Sequence, residues 1–170
     1  HQLRFQPIFR QYLWGGRRLG TMVGKPIGPS EDYAESWEIV DHGVDQSIVA
    51  AGPLKGRSLG TLAADYRDAL LGRETSFRTF PLLLKFLDAE HFLSVQVHPT
   101  DKQGAKLVPP DLGKTEAWIV LAAEPGSKIY AGLRPGVDRT LLERALRNGD
   151  CESCLHSFEP AVGDCVFLPA

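Results

Sequence analysis

Short alternating runs of apolar and polar residues outnumber helical ones in this chain, and the clearest is FLSVQVHP, from Phe92 to Pro99. Successive side chains on a strand point to opposite faces. Leu93, Val95 and Val97 therefore share one face, and Ser94, Gln96 and His98 share the other. Alternation also predicts strands over Tyr33 to Asp41, Gln46 to Ala50, Pro81 to Leu87, Thr115 to Ala123, Lys128 to Leu133, Leu155 to Phe158 and Cys165 to Leu168. Helical spacing appears twice. Ser58 opens a helix carrying Leu59, Leu62, Ala63, Tyr66 and Leu70, with Gly72 as its stop. Asp138 caps a second, with Leu141, Leu142, Ala145 and Leu146 on one face and Gly149 at its end. Thr100 caps a short helix reaching Leu107. Residues 1–30, rich in Gly, Pro and Arg, read as an irregular lead-in. Helices do not separate the strands regularly, so the pattern points to a mainly β fold, an antiparallel barrel or jelly roll with a few added helices.

A strand with one aliphatic face and one face of Ser, Gln and His is unusual for a solvated surface. In GKTEAW, Lys114, Glu116 and Trp118 fall on one face. Brought side by side, the two segments offer Gln96 oxygen, His98 nitrogen and Glu116 oxygen as a plausible shell for a divalent metal. Read more plainly, His98 before a proline is a core or turn histidine, and Glu116 is an edge-strand charge. Cys151 and Cys154, followed by His156, resemble half of a zinc knuckle, but one CxxC without a partner pair reads as incidental.

Bulk properties narrow the field. The chain has 170 residues, enough for one domain with a buried core. A formal net charge of −2 argues against nucleic acid as the main partner. Charged residues such as Lys85, Glu116 and Glu124 interrupt every apolar stretch before membrane-spanning length. The first residues lack the apolar core of a signal peptide, which makes the cytoplasm the default location. Three cysteines do not suggest a disulfide framework. The sequence leaves the oligomeric state open.

The runs PLLLKFLDAEHFLSVQVHP, GKTEAW and GDCVFLPA resemble, in this order, the zinc-dependent type I mannose-6-phosphate isomerases of the cupin class, most closely the short bacterial forms. The likeness extends back to Leu13-Trp14-Gly15-Gly16. The resemblance implies a jelly-roll core, one zinc per chain, and interconversion of mannose 6-phosphate and fructose 6-phosphate. The family's metal ligands fall on Gln96, His98 and Glu116. Its fourth, a histidine that follows a Gly-rich second motif, is expected beyond Ala170, as is its catalytic arginine. The phosphate-contacting serine falls on Ser94, and substrate-contacting lysines fall on Lys85 and Lys114. Trp14 and Glu35 match further positions of the substrate pocket. On this resemblance residues 1–170 form an incomplete cupin isomerase domain: lead-in 1–30, helical insert about 58–72, metal-site strands about 81–123, and a second motif cut at 170.

The chemistry suits that inventory. Moving a carbonyl between adjacent carbons needs an acid or base and stabilisation of a developing oxyanion. A partly buried amine beside a metal is biased toward its neutral form, so Lys114 is a candidate acid or base; it serves equally as a hydroxyl or phosphate contact. Lys85 could meet a phosphate or simply snorkel to solvent. Two other classes compete: a non-catalytic cupin module binding a sugar or sugar phosphate, and an iron-dependent cupin oxygenase. The oxygenase is disfavoured because Gln96 stands where such sites use a histidine. On its own, residues 1–170 are expected to hold metal poorly and to be inactive.

Overall fold

The computed structural model describes residues 2–73 and 77–170, which fall into two compact units, residues 1–94 and 95–170. Every ladder among the described residues is antiparallel. The chain is mainly β, with short helices.

In the first unit, strand β1 (Ile8–Gly16) is followed by a single turn of helix, α1 (Arg18–Thr21). Strand β2 (Tyr33–Ile39) lies at the centre of a three-stranded sheet. The strands β3 (Asp41–His42) and β4 (Asp45–Gln46) make a small hairpin, turned by Gly43 at φ 55°. Helices α2 (Leu59–Asp65) and α3 (Arg67–Leu71) follow, and β5 (Leu84–Leu87) completes the sheet in the order β1-β2-β5. Ala34, Val40, Val49, Leu59, Leu62 and Ala63 are buried. Leu59, Leu62 and Ala63 are spaced at i, i+3 and i+4, which puts them on one stripe of α2. Ser58 caps that helix, its hydroxyl accepting from the Thr61 N–H at 3.2 Å.

Two expectations about this unit are corrected. The lead-in is not irregular, because a nine-residue strand runs through it. Its composition suggested a loop, yet Phe9 packs edge-on against Tyr33 at 5.8 Å, and Gly15 serves close approach instead of a turn. A Cβ on Gly15 would stand 2.5 Å from the Ala34 nitrogen of the neighbouring strand. The helix expected from Ser58 to Gly72 is broken at Tyr66, whose φ and ψ of −123° and 37° leave the helical region. The break turns Tyr66 outward, with the Arg57 guanidinium 5.6 Å from its ring, and lets Leu71 supply the buried contact.

In the second unit, one turn of helix, α4 (Asp101–Gly104), precedes strand β6 (Glu116–Ile119). Strand β7 (Ile129–Leu133), helix α5 (Arg139–Arg147), a 3₁₀ turn (Cys151–Cys154) and strands β8 (Leu155–Phe158) and β9 (Cys165–Leu168) follow. Two-stranded sheets form from β6 with β9 and from β7 with β8. Asp138 caps α5, accepting from the Leu141 N–H at 2.8 Å. Helix α4 ends short of Leu107: the Lys106 and Leu107 N–H groups donate three residues back, to the Gln103 and Gly104 carbonyls at 3.0 Å, and the Asp111 N–H donates to the Gly104 carbonyl as well. The stretch from Phe92 to His98 is in no strand. Its alternation separates two sets of side chains, but a ladder also needs a neighbour's N–H and C=O groups. Val95 and Val97, at 58% and 89% exposure, lie as open as Gln96.

Replacing Gly15 by Ala drives a methyl group into the backbone of β2. Such overpacking costs about 1–3 kcal/mol. The Gly15→Ala protein should therefore unfold at lower denaturant concentration; an unchanged midpoint would mean that β1 and β2 are not this close.

Candidate active site

The second unit gathers four side chains singled out by the sequence. The Lys114 N–H donates to the Pro99 carbonyl at 2.9 Å, tying the end of QVHP to the start of β6. Just before it, the Gly113 N–H donates to Asp101 Oδ1 at 2.8 Å. Those two bonds close the loop that carries α4. Lys114 Nζ then lies 3.0 Å from Gln96 Oε1 and 3.1 Å from Glu116 Oε1. His98 Nε2 stands 3.8 Å from Glu116 Oε2, and the Trp118 indole N–H donates to that same oxygen at 2.9 Å. One ammonium thus links Gln96 to Glu116, and the imidazole stands beside the carboxylate.

Glu116 is part-buried. Burial raises its carboxyl pKa, but the hydrogen bond and charge of Lys114, the Trp118 N–H and the charge of His98 act the other way. The net effect holds the carboxyl below its ordinary value. His98 Nδ1 is buried and has no hydrogen-bond partner among the described residues. An orphaned ring nitrogen is unusual, since most buried polar atoms find one.

The donors are compatible with a divalent cation. Two atoms each about 2.1 Å from one zinc ion stand at most about 4.2 Å apart. The 3.8 Å between His98 Nε2 and Glu116 Oε2 is within that span. The two oxygens that hold the Lys114 ammonium, Gln96 Oε1 and Glu116 Oε1, already accept one positive charge between them. Among the described residues no three His, Cys, Asp or Glu side chains cluster, so the amide of Gln96 is needed to make a third donor. Cys154 is buried in its 3₁₀ turn, and His156 stacks on Phe158 at 6.4 Å between ring centroids.

The remaining predicted site residues belong to the first unit. Glu35, on β2, is buried at 6% exposure. Its Oε1 accepts from Lys85 Nζ at 2.9 Å, and its Oε2 from the Trp37 indole N–H at 2.6 Å. The antiparallel register sets Trp37 opposite Lys85 and Arg10 opposite Glu35, so the four share a face. The Arg10 guanidinium lies 4.5 Å from the Trp37 ring centre. Trp14, near the end of β1, stacks on Tyr12 at 5.5 Å, and its carbonyl accepts from the N–H groups of Glu90 and His91. Ser94 is exposed, at the end of the unit.

Residues 2–117 match the model of the type I phosphomannose isomerase catalytic domain. The chain belongs to the type I phosphomannose isomerase family. The mannose-6-phosphate isomerase of Streptococcus mutans is 38% identical over 170 residues, covering 97% of this chain and 52% of that protein. Mannose-6-phosphate isomerase ManA of Bacillus subtilis is 34% identical over 168 residues, covering 99% of this chain and 52% of its own length. The crystal structure of the mannose 6-phosphate isomerase from Bacillus subtilis superposes with a TM-score of 0.87 at 34% identity, over 99% of this chain and 52% of that one. The chain spans about half the length of the curated relatives it matches. No helix among the described residues is long and apolar enough to cross a membrane.

Sequence reasoning placed Trp118 on the face of Glu116 but gave it no part in the site. The available signal was Glu-x-Trp, a carboxylate and an indole two residues apart on a strand, which occurs at Glu35–Trp37 and at Glu116–Trp118. In the metal-free protein, Lys114→Met should move the Glu116 carboxyl upward, because burial then meets less opposition. Carbon-13 shifts of Glu116 followed against pH measure this. A lowered carboxyl adds stability above its ordinary range and loses it as pH falls through the folded-state value. The variant should therefore also lose less stability across the acid range than the parent. A titration that does not move would show that Lys114 is not the cation that Glu116 faces.

Proposed function

We propose that this chain carries the metal-binding part of an aldose–ketose isomerase that interconverts mannose 6-phosphate and fructose 6-phosphate. The observation that carries the reading is the Lys114 ammonium shared between Gln96 and Glu116, with His98 beside the same carboxylate. Membership of the family and the similarity to mannose-6-phosphate isomerases over the whole chain support it. The reading includes a cupin jelly roll for the complete protein and a cytoplasmic location, where phosphorylated sugars are retained by their charge.

Gln96, His98 and Glu116 would hold one zinc ion. Strand β9 sets Leu168 opposite Glu116, and the Ala170 N–H donates to Thr115 Oγ1 at 3.2 Å, so the end of the second motif lies beside the Lys114–Glu116 end of β6. A histidine shortly after that motif would be well placed as the fourth ligand. Bound there, zinc would supply Lewis-acid polarisation of a sugar carbonyl or hydroxyl oxygen. Lys114 Nζ is the group to which we assign proton transfer between the adjacent carbons. Glu116 and Gln96 orient that amine through the two contacts that flank it. By motif position, Ser94, Lys85, Trp14 and Glu35 contact the substrate. Lys85, fixed by Glu35, offers a positioned ammonium to a phosphate dianion.

Two measurements on the natural full-length protein test this. His98→Ala should lose most of its zinc, because affinity is built from the whole shell; full zinc content in that variant removes His98 from the ligands. Lys85→Ala should keep its zinc and raise KM for mannose 6-phosphate about ten- to a hundred-fold, the range of a charge-assisted contact worth about 1.5–3 kcal/mol. Turnover of unphosphorylated mannose should hardly change. Equal losses on both sugars would assign Lys85 to the fold and not to the phosphate.

A further inference from the structure

Two glutamates in this chain are bracketed in the same way. Glu35 accepts from Lys85 on Oε1 and from Trp37 on Oε2. Glu116 accepts from Lys114 on Oε1 and from Trp118 on Oε2. In each case the tryptophan lies two residues further along the same strand, so the indole and the carboxylate share a face. Glu116 has one neighbour more: His98 Nε2, 3.8 Å from the oxygen that Trp118 holds.

We propose that Trp118 is a positioning residue of the metal site, its indole N–H fixing Glu116 Oε2 so that the carboxylate presents a lone pair toward His98. The proposal rests on the reading that Gln96, His98 and Glu116 hold zinc. The last torsion of a glutamate is broad, so a carboxylate without a fixed partner samples many orientations. Each carboxylate oxygen accepts more than one bond, and the indole N–H leaves capacity for a further ligand on the oxygen it holds. The backbone that carries the indole is itself held in a ladder. Trp118 sits in register with Val166 of β9, which is 9% exposed, so its strand position is set by a buried neighbour. Partners behind a ligating carboxylate generally change metal affinity 10- to 100-fold when removed.

The test is the zinc dissociation constant of the natural full-length protein, measured by competition with a chelator. Trp118→Phe, which keeps an aromatic ring and removes the N–H, should weaken zinc about 10- to 100-fold. Trp37→Phe removes the same kind of bond from Glu35 and should leave zinc affinity as it was. An unchanged constant in Trp118→Phe, or equal weakening by both variants, overturns the proposal. If Trp118→Phe does not fold, Trp118→Gln, with a side-chain N–H, should hold zinc more tightly than Trp118→Leu; equal affinities overturn it. A parent protein that binds no zinc overturns the metal reading and this proposal together, whereas zinc held equally by parent and Trp118→Phe overturns the Trp118 role alone.

Discussion

A carboxylate removed from water must be met on both oxygens, and much of this chain is arranged around that requirement. Desolvating a charge costs more than one opposite charge returns unless geometry and hydrogen bonding are both good. Glu35 is buried, and its two oxygens are taken by an ammonium and an indole N–H. Meeting that need fixes the register of β2 against β5, because Lys85 must lie across from Trp37. It also places Arg10 over the Trp37 ring from the other side of the sheet's central strand.

The second unit repeats the arrangement with a different outcome. Glu116 is less buried and also faces an imidazole, so its bracket remains open to a further ligand. What holds the bracket is backbone. The bond from the Lys114 N–H to the Pro99 carbonyl, with Gly113 packed against Asp101, brings two distant stretches of sequence within side-chain reach. A Cβ on Gly113 would stand 2.7 Å from the Asp101 nitrogen, so the closure depends on a glycine there. A flexible connection would give the same residues without a fixed geometry. The proposed chemistry requires that geometry, because an amine can exchange a proton with a sugar only from a fixed place.

The sequence made parts of this legible and concealed others for physical reasons. Ser58 and Asp138 were readable as caps, since a capping bond is local and depends on a residue type three positions before its donor. That Gln96 and His98 come near Glu116 could be argued from two-residue alternation and from the motifs themselves. The strand through residues 8–16 was hidden because its pairing partner lies far along the chain and its glycines look like turns. Alternation over Phe92 to His98 suggested a ladder that the structure does not have, because side-chain pattern reports faces and says nothing of a neighbour. The break at Tyr66 was illegible too, as the spacing of Leu59, Leu62, Ala63, Tyr66 and Leu70 fits one continuous helix. The part of Trp118 is hidden as well, since an apolar ring on a strand reads as packing until its N–H is found on a carboxylate oxygen.

The central claim is that Gln96, His98 and Glu116 form one metal shell. X-ray absorption at the zinc edge of the natural full-length protein tests it most directly. The account predicts a first shell of oxygen and nitrogen atoms only, at about 2.0–2.2 Å, with the outer scattering of imidazole. His98→Ala should diminish that imidazole signal. A shell containing sulfur at about 2.3 Å would place the metal on cysteine and contradict the account.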